Sequence, residues 1–95
     1  MPAEVTDNRE RSRFEMAFND CSLAIIAYRR EGKRIVLTHT EVPEALSGQG
    51  VGSRLIQGAL RIIRAEGLRV VAQCSFVAAY IERHGEERDL LAGPG

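Results

Sequence analysis

Two side chains in this sequence, Cys74 and His39, could act together as a nucleophile and a base. Cys74 is predicted at the carboxyl end of a strand and just before a helix, and a helix N-terminus lowers the pKa of a thiol and favours the nucleophilic thiolate. His39 is predicted near the carboxyl end of another strand. If the two strands are parallel neighbours, both side chains face the crevice where open α/β sheets bind ligands. His39 would then be a base beside the Cys74 nucleophile.

Both residues also have a structural interpretation. Cys74 could be a small buried apolar side chain, and His39 a strand histidine bonded to a neighbouring hydroxyl. His84 is a poorer partner for Cys74, because about ten helical residues place it roughly 15 Å away. Cys21 is interpreted as a packing residue. No group of His, Cys, Asp and Glu has the spacing of metal ligands, so no metal site is predicted.

A glycine-rich segment lies between a predicted strand and a predicted helix. The first amides of a helix lack intrahelical acceptors and lie at the positive end of the helix dipole, so they bind anions, and glycines let a phosphate approach closely. The segment lacks the Gly-Lys-Ser/Thr ending of a nucleotide P-loop, and its glycines are spaced by two, unlike the dinucleotide fingerprint. Either it binds a phosphate or it is only a turn. The residues concerned are Gly48, Gln49, Gly50, Val51, Gly52 and Ser53.

The surrounding pattern supplies the elements that must position these residues. Alternating and β-branched residues predict strands over 13–18, 21–29 and 34–42, and an apolar run predicts a fourth over 68–73. Apolar residues at helical spacing predict a helix of about four turns that ends at Gly67. A second helix is predicted over Phe76–His84, with Ser75 as its N-cap.

The order β-β-β-α-β-α predicts an antiparallel meander followed by a right-handed crossover, which makes the last two strands parallel. The fold class is therefore α/β (α+β), with a mixed and mostly antiparallel sheet of about four strands and two main helices. Residues 1–10 are polar and are predicted to be a flexible tail, and residues 11–95 a single domain.

The composition of the chain excludes several classes of protein. The chain has 95 residues, 44% apolar and 27% charged, and its thirteen basic residues balance thirteen acidic ones. Zero net charge argues against a nucleic-acid-binding domain and against binding to acidic membranes. No apolar run is long enough to span a bilayer, and the first residues lack the features of a signal peptide, so a cytoplasmic location is expected. Two cysteines are too few for a disulfide scaffold.

Three stretches together resemble one family. LTHTEV begins at Leu37, GQGVG at Gly48 and CSFVAAYIERH at Cys74. They resemble very small members of the Gcn5-related N-acetyltransferase (GNAT) superfamily over roughly residues 13–92. Gly50 and Gly52 match the end of the superfamily motif Arg/Gln-x-x-Gly-x-Gly/Ala. Ser47 departs from it, standing where Arg or Gln is usual.

The resemblance implies an N-acetyltransferase-like protein that transfers an acetyl group from acetyl-CoA to an unknown amine, on a small molecule, peptide or protein. It implies that the amides of residues 48–53 cradle the CoA pyrophosphate and that the pantetheine arm passes near Val42, between the two parallel strands. Phe76 and Tyr80 complete the implied cofactor site.

The resemblance also implies catalytic roles. The thioester would face Cys74 and His39, either His39 or Glu41 would deprotonate the amine, and Tyr80 would protonate the departing CoA thiolate. The acetyl group would pass directly to the amine or through Cys74. Glu41 could equally be a solvated edge carboxylate and Tyr80 a core aromatic residue. The alternative function is a non-catalytic acyl-CoA-binding or sensor module.

Overall fold

A five-stranded sheet forms the centre of the computed structural model, which describes residues 4–18, 22–46, 48 and 50–92. The strands lie in chain order, β1-β2-β3-β4-β5, and only β4 and β5 are parallel. Helix α1 connects these two strands, and α2 follows β5. This is the mixed α/β fold that the sequence predicts, with one strand more than expected. The elements are β1 Val5–Asn8, β2 Arg13–Ala17, β3 Leu23–Glu31, β4 Arg34–Glu41, α1 Val51–Ala65, β5 Arg69–Ala72 and α2 Ser75–Arg83, with short 3₁₀ helices over Glu44–Leu46 and Gly85–Leu90.

The core lies between one face of the sheet and the two helices. Phe14, Ile26 and Leu37 come from β2, β3 and β4, and all three are fully buried in one cluster with residues of α1 and α2. Burial of side chains this large is the main favourable term in folding. The α1 residues in the cluster recur at helical spacing, so the predicted amphipathic helix is confirmed; they are Val51, Leu55, Ile56, Ala59, Leu60 and Ile63.

Strand β1 lies within the segment predicted to be a flexible tail. It pairs with β2 in antiparallel register, and Tyr28 donates a hydrogen bond of 2.5 Å to Asp7. Val5 packs partly buried against the core cluster. The predicted tail over residues 1–10 is therefore wrong for Val5–Asn8, because partners far along the chain hold this short polar strand in place. The single domain over 11–95 stays a prediction.

A β-bulge in β4 changes which side chains share a face. Ala27 pairs with His39 and Tyr28 with Leu37, so Thr38 is an extra residue without a partner on β3. A bulge of one residue reverses the alternation of side chains beyond it. Thr40, which pairs with the buried Ile26, therefore lies on the helix side of the sheet.

The helix ends agree with the sequence in one case and differ in the other. Gly67 follows the C-cap of α1 with a φ of 72°, as predicted. At α2 the N-cap is Cys74, whereas the sequence predicts Ser75, which is the first helical residue. Within the described ranges, neither helix is long and apolar enough to cross a membrane.

Candidate functional site

The side chains of Cys74 and Thr40 are in polar contact at the carboxyl ends of the two parallel strands. The Thr40 hydroxyl lies 3.2 Å from the Cys74 sulfur. The last paired residues of β4 and β5 are Leu37 and Ala72, and beyond them the Cys74 amide donates to the Leu37 carbonyl at 2.9 Å. The strand ladder stops there, so the Thr40–Cys74 pair lies where the two strands part.

The surroundings of Cys74 favour its thiolate. Burial raises the pKa of the Cys74 thiol, but the Thr40 hydroxyl and the backbone amides of Val77, Phe76 and Thr40 more than compensate, so the net pKa lies below its ordinary value. Two of these amides, those of Phe76 and Val77, belong to the first turn of α2. The lowered pKa that the sequence predicts is therefore present, and Thr40 is a contributor that the sequence did not indicate.

His39 and Glu41 lie on the other face of β4. His39 pairs with Ala27, and this pair is next to the Thr40–Ile26 pair, which faces the helices. Because successive residues of a strand face opposite sides, the His39 side chain points away from the helices. Its Nε2 lies 3.6 Å from the Glu41 carboxylate, and both side chains are more than 60% exposed. The expected convergence of His39 and Cys74 as a contacting pair is wrong, because the bulge at Thr38 reverses the alternation that placed them together.

The glycine-rich segment lines a cleft at the start of α1. The cleft has a volume of about 180 Å³, and every lining residue except Leu46 belongs to the site predicted from the sequence. Gln49 and Ser47 lie outside the described residues. Val42 and Phe76 form part of its wall, each two residues from a member of the Thr40–Cys74 pair. The described lining residues are Val42, Leu46, Gly48, Gly50, Val51, Gly52, Ser53 and Phe76.

Two glycines are required by the shape of this cleft. Gly50 is the N-cap of α1 with a φ of 74°, a left-handed conformation that glycine adopts at low cost. A Cβ on Gly52 would lie 2.6 Å from Cζ of Phe76, so the ring packs directly on the helix backbone. The first turn of α1 has no acidic residue, and its amides lie beside the cleft. This end of α1 can therefore bind a phosphate.

Tyr80 does not line the glycine cleft. Its ring stacks on His84 with centroids 4.1 Å apart, and it lines a different cleft between α1 and the segment after α2. Burial, with smaller contributions from Glu87 and Glu86, raises the pKa of the Tyr80 hydroxyl. Tyr80 is therefore a buried aromatic residue that lines a cleft other than the glycine cleft, and its expected role as an acid stays a prediction.

An apolar cleft of about 600 Å³ follows the outer edge of β5. Ala72, two residues before Cys74, and Leu91, which is 39% exposed, are among its lining residues. Among residues 4–18, 22–46, 48 and 50–92, no group of three or more His, Cys, Asp and Glu could hold a metal ion.

Comparison with protein-family profiles matches residues 13–90 to the family described as GCN5-related N-acetyltransferase. The chain belongs to the GCN5-related N-acetyltransferase family. This confirms the resemblance of the three sequence stretches. The protein named NATD1 from Gallus gallus is 35% identical over 85 residues, which cover 87% of this chain and 77% of that protein. The Homo sapiens NATD1 is also 35% identical over 85 residues, which cover 75% of its length.

A solved structure of this family has the same fold. The NMR solution structure of a GCN5-like protein from Staphylococcus aureus superposes with a TM-score of 0.72 at 29% sequence identity. The superposition covers 97% of this chain and 90% of the S. aureus chain. The minimal GNAT fold expected from the sequence is therefore confirmed over nearly the whole chain.

Proposed function

We propose that this GNAT-family protein binds acetyl-CoA and transfers the acetyl group to an amine, with the thioester beside Cys74. One observation carries the proposal: the wall of the glycine cleft includes residues that neighbour both members of the Thr40–Cys74 pair. Val42 follows Thr40 by two residues and Phe76 follows Cys74 by two, and both line the cleft. A ligand with a phosphate on the α1 amides and an apolar arm along Phe76 would reach the sulfur.

The chain offers groups of the right chemistry for such a ligand. The amides of Val51, Gly52 and Ser53 supply donors for the pyrophosphate at the positive end of α1. Beyond Leu37 and Ala72 the two strands no longer pair, which leaves backbone groups of β4 for the amides of a pantetheine arm. When bound, acetyl-CoA supplies an activated acetyl group, and the protein supplies its position.

Two routes lead from this arrangement to an acetylated amine. In the direct route the amine nitrogen bonds to the acetyl carbon, the carbon–sulfur bond breaks, and the amine proton passes through water to the departing CoA thiolate, because His39 and Glu41 lie on the opposite face of β4 from Cys74. In the second route the Cys74 thiolate takes the acetyl group and CoA leaves as its thiol after protonation. An amine then displaces Cys74. The lowered thiol pKa favours this second route.

A non-catalytic acyl-CoA-binding module is the second candidate. It is favoured by the contact of Cys74 with the hydroxyl of Thr40 instead of with the imidazole of His39. We infer that the acceptor is an amine on a peptide or protein, because the cleft of about 600 Å³ along β5 includes Ala72, two residues before Cys74.

The proposal is tested by mass spectrometry of the protein incubated with acetyl-CoA, first under native and then under denaturing conditions. The proposal predicts a one-to-one complex. An acetyl increment that survives denaturation, is absent from Cys74→Ser and is released by hydroxylamine identifies the route through Cys74. A complex without that increment, together with release of CoA thiol when a lysine-containing peptide is added, identifies direct transfer. A complex that releases no CoA with any amine identifies the binding module, and no complex at all contradicts the proposal.

A further inference from the structure

A stripe of basic side chains runs along α1 from the glycine cleft. Arg54 and Arg61 are exposed and lie seven residues apart, with Gln57 between them on the same side of the helix. Within the described part of the chain, neither arginine makes an ion pair or hydrogen bond. By contrast, Arg30 binds Asp7 and Glu66, and Arg64 binds Asp89 and Glu87.

Arg54 is also placed where a helix disfavours it. A cation in the first turns of a helix opposes the positive end of the helix dipole, and α1 has no acidic residue in its first turn to offset it. Side chains on a helix lean toward its N-terminus, so Arg54 leans toward the glycine cleft and Arg61 toward Gln57 and Arg54. A bound anion would relieve this unfavourable arrangement.

The stripe lines a groove of about 320 Å³ between α1 and the β1–β2 edge. Val5, Met16 and Gly58 form its apolar part, and Glu4 contributes a carboxylate. The groove lies on the side of α1 that faces β1, whereas Gly52, in the glycine cleft, faces Phe76. An anion held by the stripe is therefore distinct from a phosphate held by the first amides of α1.

We propose that Arg54, with Arg61 and Gln57, binds the ribose 3′-phosphate of CoA, so that this stripe makes the protein selective for 3′-phosphorylated acyl-CoA. The inference rests on the proposed function. The glycine cleft, about 180 Å³, is smaller than acetyl-CoA, so part of a bound molecule must lie outside it. The stripe begins one residue beyond Ser53, and guanidinium groups recognise phosphate through paired, charge-assisted hydrogen bonds.

The test compares the dissociation constants of acetyl-CoA and acetyl-dephospho-CoA, which differ only in the 3′-phosphate. The wild-type protein is expected to prefer acetyl-CoA by about tenfold, the effect of one or two exposed charge-assisted contacts. In Arg54→Gln/Arg61→Gln this preference should fall to about twofold or less, through weaker binding of acetyl-CoA alone. Arg83→Gln removes an exposed arginine of α2, away from the stripe, and is expected to keep the full preference.

Two further results support the inference. The wild-type preference should shrink as salt is raised, because the contacts are solvent-exposed. Glu4→Gln should increase the preference by about twofold, because it removes a carboxylate from the groove.

Equal binding of the two ligands by the wild-type protein would overturn the inference and leave the proposed function intact. A double variant that loses affinity for both ligands by the same factor would also overturn it, since the stripe would then serve the pyrophosphate. If neither ligand binds the wild-type protein, the proposed function fails and this inference fails with it.

Discussion

The hydroxyl oxygen of Thr40 lies 3.2 Å from the sulfur of Cys74, across the point where the parallel strands β4 and β5 part. The contact exists because a bulge at Thr38 turns Thr40 toward the helix side of the sheet. It places beside Cys74 a hydroxyl that can donate a hydrogen bond to the thiolate. The reactivity of Cys74 should therefore depend on a neighbouring hydroxyl more than on a neighbouring histidine.

Removing the Thr40 hydroxyl should make Cys74 less reactive near neutral pH. Because this hydroxyl helps to lower the thiol pKa, Thr40→Val should move the pH midpoint of Cys74 alkylation upward and slow the reaction severalfold below that midpoint. Thr40→Ser keeps the donor and is the matched control. The measurement is the rate of iodoacetamide labelling against pH in a Cys21→Ser background. A Thr40→Val midpoint equal to that of the wild type would contradict the role of the contact.

A carboxylate at the N-cap of α1 should weaken acetyl-CoA binding without a matching change in the stability of the protein. Gly50 has a φ of 74°, and among the described residues no atom lies within 4 Å of the position that a Cβ would occupy. Asn and Asp both tolerate this conformation better than other residues, so we expect Gly50→Asp and Gly50→Asn to unfold within about 1 kcal/mol of each other. Acetyl-CoA should bind Gly50→Asp about tenfold more weakly than Gly50→Asn, because the carboxylate repels a phosphate. Calorimetric titration of the two variants checks this, and equal affinities would exclude α1 as the phosphate site.

The contact between Gly58 and Val5 should set the stability of the first strand. A Cβ at Gly58 would clash with Cγ2 of Val5 and would lie 2.7 Å from the Val5 Cβ. Gly58→Ala should therefore destabilise the protein by about 1–3 kcal/mol, although alanine favours a helix by about 1 kcal/mol. In a Val5→Gly background the same substitution should become stabilising. Urea unfolding of the four proteins measures the coupling, and a Gly58→Ala variant more stable than the wild type would show that β1 does not pack on α1.

Tyr80→Phe should leave acetyl transfer nearly unchanged. The Tyr80 ring is buried, stacks on His84 and lines a cleft other than the glycine cleft. We expect kcat and KM within about twofold of the wild type at a pH of about 7–8, since a residue away from the reacting atoms contributes little to transition-state binding. Phe76→Leu, which alters the wall of the glycine cleft, is the contrasting variant and should raise KM. A Tyr80→Phe loss of kcat well beyond twofold would restore its expected role as an acid.

The sequence predicted most of the fold because strong local patterns encode it. The apolar stripe of α1, the β-branched run of β4 and Gly67 after α1 all specify their structure through nearby residues. Strand β1 escaped prediction because it is short and polar, and its order depends on Tyr28 and the β2 strand. Contacts between residues far apart in the chain, such as Asp7 and Tyr28, leave no periodic signal in the sequence.

The sequence predicted which residues form the candidate site but not which way the side chains of β4 point. Every described residue of the glycine cleft except Leu46 was predicted. The strand, glycine segment and helix in succession indicate residues 48–53, whereas Val42 and Phe76 were implied by the resemblance to the family. The bulge at Thr38 has no glycine or other sequence signal, yet one inserted residue exchanges His39 for Thr40 on the face of Cys74. Beyond such a bulge, the direction of the side chains depends on how β3 and β4 pair along their full length. The sequence alone does not specify that pairing.

The central claim is that one acetyl-CoA molecule extends from the first turn of α1 to Cys74. Titration of ¹⁵N-labelled protein with acetyl-CoA, followed through its backbone amide resonances, tests this most directly. We predict saturable shifts at Gly50, Val51, Gly52, Thr40 and Cys74, with the same dissociation constant at each. An absence of saturable shifts, or shifts confined to residues outside the glycine cleft and the ends of β4 and β5, would contradict it.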